Sequence, residues 1–339
     1  MKSICVSLLF ITSSLFAQSV PAPVDSNKII VPDNIEFTFT PAAFYSFGET
    51  EYEFELTQTF VDTAGDFVDL TTRSLLEFPL DVFLFGGSLA MYSPGAAKSF
   101  WSIELGIYAN VTDPSKAMKD SDWLTLEKYF PETMISYTES GAEMNMLLAN
   151  IEAVKELIDF GGGGICLLVG YRYQKIEQTA IGYEGWFLDT NDVRQPISGT
   201  APAIDYRVTY KGPQFGLLTK IVLSQALHLS LKTAGALARV DDFDDHLLRK
   251  FHTFADGNGI GFVSDLKLHW NSGLKVGGHP AFFDFTGNFD YYNAELSQTF
   301  EQYADGGPYE RPVGYRTGGL PHKIRSHQFR TGIRFAIAF

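Results

Sequence analysis

Apolar and polar side chains alternate along most of this chain with a period of two, the spacing of a strand with one greasy and one wet face. Ile35, Phe37 and Phe39 alternate with Glu36, Thr38 and Thr40, and Trp101, Ile103, Leu105, Ile107 and Ala109 alternate with Ser102, Glu104, Gly106, Tyr108 and Asn110. The same pattern predicts strands over 74–85, 134–149, 165–175, 215–224, 227–240 and 283–291. It is sharpest at the end of the chain, where Phe329, Thr331, Ile333, Phe335, Ile337 and Phe339 share one parity and Gln328, Arg330, Gly332, Arg334, Ala336 and Ala338 the other. Phenylalanines opposite arginines suit a wall between lipid and a polar lumen. A soluble exported β-sandwich is the alternative.

Connections alternate in length, as an up-and-down barrel with short turns at one rim and long loops at the other requires. Tight turns are expected near 79–80, 225–226 and 277–280, and long extracellular loops over 48–73, 112–133, 178–204, 241–259 and 294–323. The segment 151–164 reads as partly helical before its GGGG run. The predicted fold is an all-β transmembrane antiparallel up-and-down β-barrel of about ten strands over residues 34–339. Ahead of it, Lys2 and the apolar run from Ile4 to Phe16 read as a signal peptide over residues 1–17, followed by a polar lead-in over 18–33. Loss of Cys5 with that signal leaves Cys166 as the one cysteine, so no internal disulfide is expected.

Composition narrows the picture further. The 339 residues carry a formal net charge of −14, a poor match for nucleic acid and a better one for basic peptides or proteins. Past the first twenty residues no apolar run is long enough for a membrane helix.

The stretch Leu227–His246 holds the candidate chemistry. Leu227, Leu229 and Leu231 define one face, and the other parity runs on through His228 and Lys232 to Asp242, Asp244 and His246. An unbulged strand would therefore aim three ionisable groups the same way, with a carboxylate in reach of an imidazole nitrogen. Asp120 and Asp122 are likewise two apart, and two crowded carboxylates share a proton near neutral pH. Together the four groups could hold and deprotonate a water. The bland alternative is an acidic loop tip with a surface histidine. His228 and Lys232 read as lumen packing, Gly161–Gly164 as a turn, and His322 and His327 as a solvated loop and strand end. Nothing fixes further ligands for a metal, so no metal or cofactor is expected.

These motifs resemble the omptin family of outer-membrane endopeptidases. Asp120-Ser121-Asp122-Trp123 matches its Asp-x-Asp-Trp and Asp242-Phe243-Asp244-Asp245-His246 its Asp-x-Asp-x-His. Phe130-Pro131-Glu132-Thr133, Gly170-Tyr171, Ala203-Ile204-Asp205-Tyr206, Lys211-Gly212-Pro213 and Gly216-Leu217 follow in the family's order. The resemblance implies a monomeric ten-stranded barrel in the outer membrane with its site facing outside. It implies catalysis by Asp244 and His246 facing Asp120 and Asp122, and cleavage beside basic residues held by Asp242. In the family a second acid on the first strand completes that pocket. Tyr52 aligns there most simply, and Glu51 or Glu53 would serve after a register shift. Tyr171 matches a lipopolysaccharide contact and Lys175 stands for an arginine, while Tyr173 and Thr209 depart from the pattern. Lipopolysaccharide or another outer-membrane glycolipid is thus the expected lipid ligand. The rival reading is a non-catalytic barrel acting as adhesin, ligand-binding surface or small channel. A lipid-modifying barrel hydrolase is a further one, though no Ser and His pair is apparent.

Overall fold

A computed structural model describes residues 35–93, 100–307 and 310–339. The signal peptide and the polar lead-in expected at the start lie outside the described residues. The strands are β1 (Glu36–Val61), β2 (Phe67–Pro79), β3 (Val82–Ser93), β4 (Trp101–Asn110), β5 (Met118–Leu126) and β6 (Phe130–Asp159). They continue as β7 (Gly163–Leu188), β8 (Arg194–Val222), β9 (Leu227–His246), β10 (Phe251–Val276), β11 (His279–Gln302) and β12 (Arg316–Ala338). Every pairing is antiparallel, and β12 returns to β1, so the twelve strands form a ring.

Two of the breaks fall within a stave of the barrel and do not mark turns. The lower half of β1 pairs with β3 and its upper half with β2, so β2 and β3 are one stave with a jog at Leu80 and Asp81. In the same way β4 and β5 both lie against β6. Twelve strands minus these two breaks leaves ten staves, in line with the expected number. The turn expected at 79–80 is this jog, whereas the other two expected turns are present, at 223–226 and 277–278. Gly48 marks the place where β1 changes partner. Its φ is +120°, and a Cβ there would lie 2.0 Å from the His327 carbonyl oxygen, so the sequence needs glycine.

The long connections are also a correction. The expected loops are largely paired strand, closed by short hairpins except for the longer connection from β11 to β12: β6 alone runs for 30 residues and β8 for 29. Crossing a bilayer takes about 9–11 residues, so the polar halves project beyond it as a β-walled chimney. Residues 151–159, expected to be partly helical, continue β6 as strand. Ile151, Val154 and Ile158 there are β-branched, and the segment is paired on both sides, with β4 and with β7.

Side-chain direction follows parity. On β12, Gln328, Arg330 and Arg334 are buried in the lumen while Phe329 and Ile333 face out. Phe47, Leu147, Tyr171, Phe215, Leu237 and Ile260 are the upper members of the run of exposed apolar groups on their strands, Phe60, Val61, Phe130 and Phe187 being exposed again only near the hairpin tips. Above them the outer face carries Glu49, Glu143, Lys175, Lys211, Arg239 and Asp256, which sets the upper edge of the lipid-facing band. Inside that band the lumen is neutralised by ion pairs, Arg172 and Arg330 with Asp290, and Lys232 with Glu152 at 2.9 Å. Above these pairs the barrel is filled by rings. Tyr210 stacks on Tyr292 with centroids 4.6 Å apart, and Phe78 stacks on Tyr206 at 4.1 Å, from strands on different sides of the wall.

Candidate active site

Strand β9 pairs with β8 and β10 over its whole length without a register shift. Parity set by Ala234, Ala236 and Ala238 on the lumen face is therefore carried intact to Asp242, Asp244 and His246, four, six and eight residues further up. His246 Nε2 lies 2.9 Å from Asp244 Oδ2. The strand ends immediately afterwards, and the hairpin returns as Phe251, whose ring stacks under the imidazole at 4.3 Å. Carboxylate on one edge and aromatic face below hold the ring in place. Asp244 is fully buried, whereas the His246 side chain keeps 18% of its surface, so the dyad opens upward into the chimney.

Asp120 and Asp122 come from β5, which faces β9 across the ring with three staves between them on one side. Both share the inward face, opposite Leu76 and Ser74 of β2. A bulge after Asp122, against β6, breaks the ladder at this point and lets Ser136 Oγ donate to Asp122 Oδ2 at 2.6 Å. Asp120 Oδ1 is buried and has no protein hydrogen-bond partner.

The two sides feel each other's charge. Burial, then the Asp122 carboxylate, pushes the Asp120 pKa up to about 7, against the pull of His246. Burial disfavours charge on His246, yet the Asp244 carboxylate and its hydrogen bond, with Asp120, outweigh this and raise the imidazole above its ordinary value. Near neutrality the cluster can thus hold a proton on Asp120 and a basic nitrogen on His246.

Asp242 does not present an open acidic pocket. Its side chain has 0% exposed surface and its Oδ2 lies 3.2 Å from Nε2 of His322, also 0% exposed. Burial raises its pKa, and His322 opposes that rise. Tyr52 points inward beside the pair, its hydroxyl donating to Gln298 and its ring 5.1 Å from His322. Glu51 and Glu53, expected to line this pocket after a register shift, are on the outer face. There Arg325 contacts Glu51 at 2.9 Å and Glu53 at 2.7 Å, and Arg73 reaches Glu53 at 2.7 Å. No shift occurs because β1 pairs continuously with β12 from Ala42 to Phe54.

His322 is a further correction, since the sequence around it reads as a solvated loop. The parity of Arg330, Gln328, Ser326 and Ile324, extended two residues, would have found it; Pro321 and the nearby glycines mask that continuity. Arg249 was also missed. It lies on the hairpin after His246, acts electrostatically on both His246 and Asp120, and is bound by Glu310 at 2.7 Å.

Tyr171 and Lys175 are on the outer wall, with Tyr171 at 46% exposure and Lys175 bridged to Glu177 at 2.7 Å. Tyr173, Lys211 and Arg239 occupy adjacent strands on one rung beside them. His228 and Lys232 face the lumen well below the dyad. Among the described residues no group of three or more His, Cys, Asp or Glu is arranged to hold a metal ion.

No protein-family model and no curated protein sequence matches the chain. Among solved structures it is similar to the outer membrane protease OmpT from Escherichia coli, with a TM-score of 0.70 and 14% identity over 91% of this chain and 98% of that one. OprG from Pseudomonas aeruginosa (TM-score 0.28, 9% identity, 90% of this chain and 95% of that one) and the CymD monoaromatic hydrocarbon channel (0.27, 10%, 87% and 88%) superpose poorly. What the first of these likenesses establishes is the fold, an outer-membrane type of antiparallel β-barrel.

Proposed function

We propose that the chain is an omptin-like endopeptidase of the outer membrane, with its chimney and site facing outside. It hydrolyses peptide bonds with a water held between the Asp244–His246 dyad and the Asp120–Asp122 pair. The observation that carries this reading is that Asp120 and Asp122 on β5 and the Asp244–His246 pair on β9 share the inner face, with Asp120 acting electrostatically on His246, which remains open 2.9 Å from the carboxylate that orients it.

The chemistry follows from those positions. Asp244 accepts from one ring nitrogen and leaves the other to take a proton from water as its oxygen attacks the carbonyl carbon. The carbonyl π pair moves to oxygen, and the Asp120 carboxylic acid donates a hydrogen bond to that oxyanion. As the C–N bond breaks, the imidazolium returns its proton to the leaving amine. Water is consumed, and no covalent acyl-enzyme forms.

Hydrolysis is favoured over passage of solutes because buried aromatic rings stack across the lumen at the level of the dyad and just below it. Tyr171 and Lys175, with the neighbouring Lys211 and Arg239, are proposed contacts for lipopolysaccharide or a similar anionic glycolipid. The test is cleavage of peptides in 18O-labelled water by protein refolded into lipid vesicles. New carboxyl termini should carry the label, and Asp244→Asn should lower cleavage by at least a hundredfold with the barrel intact. Equal cleavage by the variant would remove the proposal.

A further inference from the structure

We propose that the subsite beside the dyad is closed to basic side chains by His322 and Tyr52, and that the scissile bond is flanked there by a short uncharged residue. This rests on the peptidase reading above and departs from the basic specificity that the sequence motifs imply. Three observations carry it. The Asp242 carboxylate already has a cation-forming partner at 3.2 Å, and neither side chain has any exposed surface. Tyr52 stands where a second acid would be needed; it is 4% exposed, its hydroxyl donates to Gln298, and Thr253 Oγ1 is 3.5 Å away. Beside the dyad on β8, Ile204 and Tyr206 are the register partners of His246 and Asp244 and are 5% and 2% exposed.

A lysine or arginine entering this subsite would have to expel His322, lose its own hydration, and meet one carboxylate where the binding of a cation is helped by two. A long apolar side chain meets the same closed wall. An acidic one would face Asp120, Asp122 and Asp244 together, with like charges opposing its approach. Glycine, alanine and serine need neither depth nor counter-charge, so they remain as the class this subsite admits.

The test is the cleavage profile of the wild-type protein, refolded into vesicles, on a peptide library randomised around the bond. Cleavage beside Gly, Ala or Ser should exceed that beside Arg or Lys by at least tenfold. Tyr52→Glu with His322→Ala should reverse that order by opening the space and restoring a second carboxylate. Wild-type preference for Arg, Lys or bulky apolar residues overturns this proposal and leaves the peptidase reading standing. Cleavage of nothing in the library removes that reading and this proposal with it. A folded double variant with an unchanged profile removes the role of His322 and Tyr52.

Discussion

Asp120 and His246 hold their protons for opposite reasons, and this gives the site a pH signature. Asp120, pushed to about 7 by burial and Asp122, is the acid, and His246, raised above 6.5 by Asp244, is the base. Hydrolysis needs the ring neutral and the carboxyl protonated, so kcat/KM should rise through the imidazole's titration and fall through that of Asp120, a narrow bell near neutrality. A profile flat across the neutral range would contradict this assignment. The same shift acts on folding. In the unfolded chain Asp120 titrates near about 3.9, so between there and about 7 the folded state binds the extra proton and stability drains as pH rises. Urea titrations of Asp120→Asn should show that slope reduced.

The buried pair makes a separate demand. His322→Ala would leave the Asp242 carboxyl enclosed beside Asp244 with its buried imidazole neighbour removed, at a cost of about 3–5 kcal/mol in stability. Adding Asp242→Asn should recover most of the loss, a coupling that a double-mutant cycle measures directly. Single residues were legible unevenly. Asp120, Asp122, Asp244 and His246 could be read because each pair keeps a spacing of two within one strand. What fills a pocket depends on strands far apart in the chain: β12 parity gives the inward direction of His322, but its pairing with Asp242 of β9 could not be read locally.

At the level of the strand, everything at the site depends on β9 keeping its register. One alanine inserted after Val240 would turn Asp242, Asp244 and His246 outward while leaving the lower pairing with β8 and β10 in place. The expected result is a barrel that still shows heat-modifiable gel migration but cleaves nothing; retained cleavage would show that this parity is not what places the dyad. Gly48 is the corresponding point on the seam. A valine there would clash with the His327 carbonyl and strain a φ of +120°, so Gly48→Val should sharply lower refolding yield. Strand parity could be read along nearly the whole chain because each face has its own solvent. Long polar segments were harder, since their paired backbone leaves the same composition as a loop, and only partner strands distinguish the two.

For the molecule as a whole, the ten staves set two levels. A band with an apolar outer face encloses a lumen neutralised by ion pairs, and a polar chimney carries the site above it. Between them Phe78, Tyr206, Tyr210 and Tyr292 fill the bore, so the protein inserted into planar bilayers should show no steady ion conductance. The closed cylinder was predictable from alternating faces alone, because lipid and a polar lumen demand opposite parities. Its central obstruction was not, because rings from different staves meet only after closure. The most direct measurement is peptide cleavage by refolded wild type and His246→Ala side by side, with both barrels shown to be folded. Cleavage by the wild type and loss of at least a hundredfold in the variant is the predicted result; equal rates, or no cleavage by either, would contradict the assignment of this cluster as a hydrolytic centre.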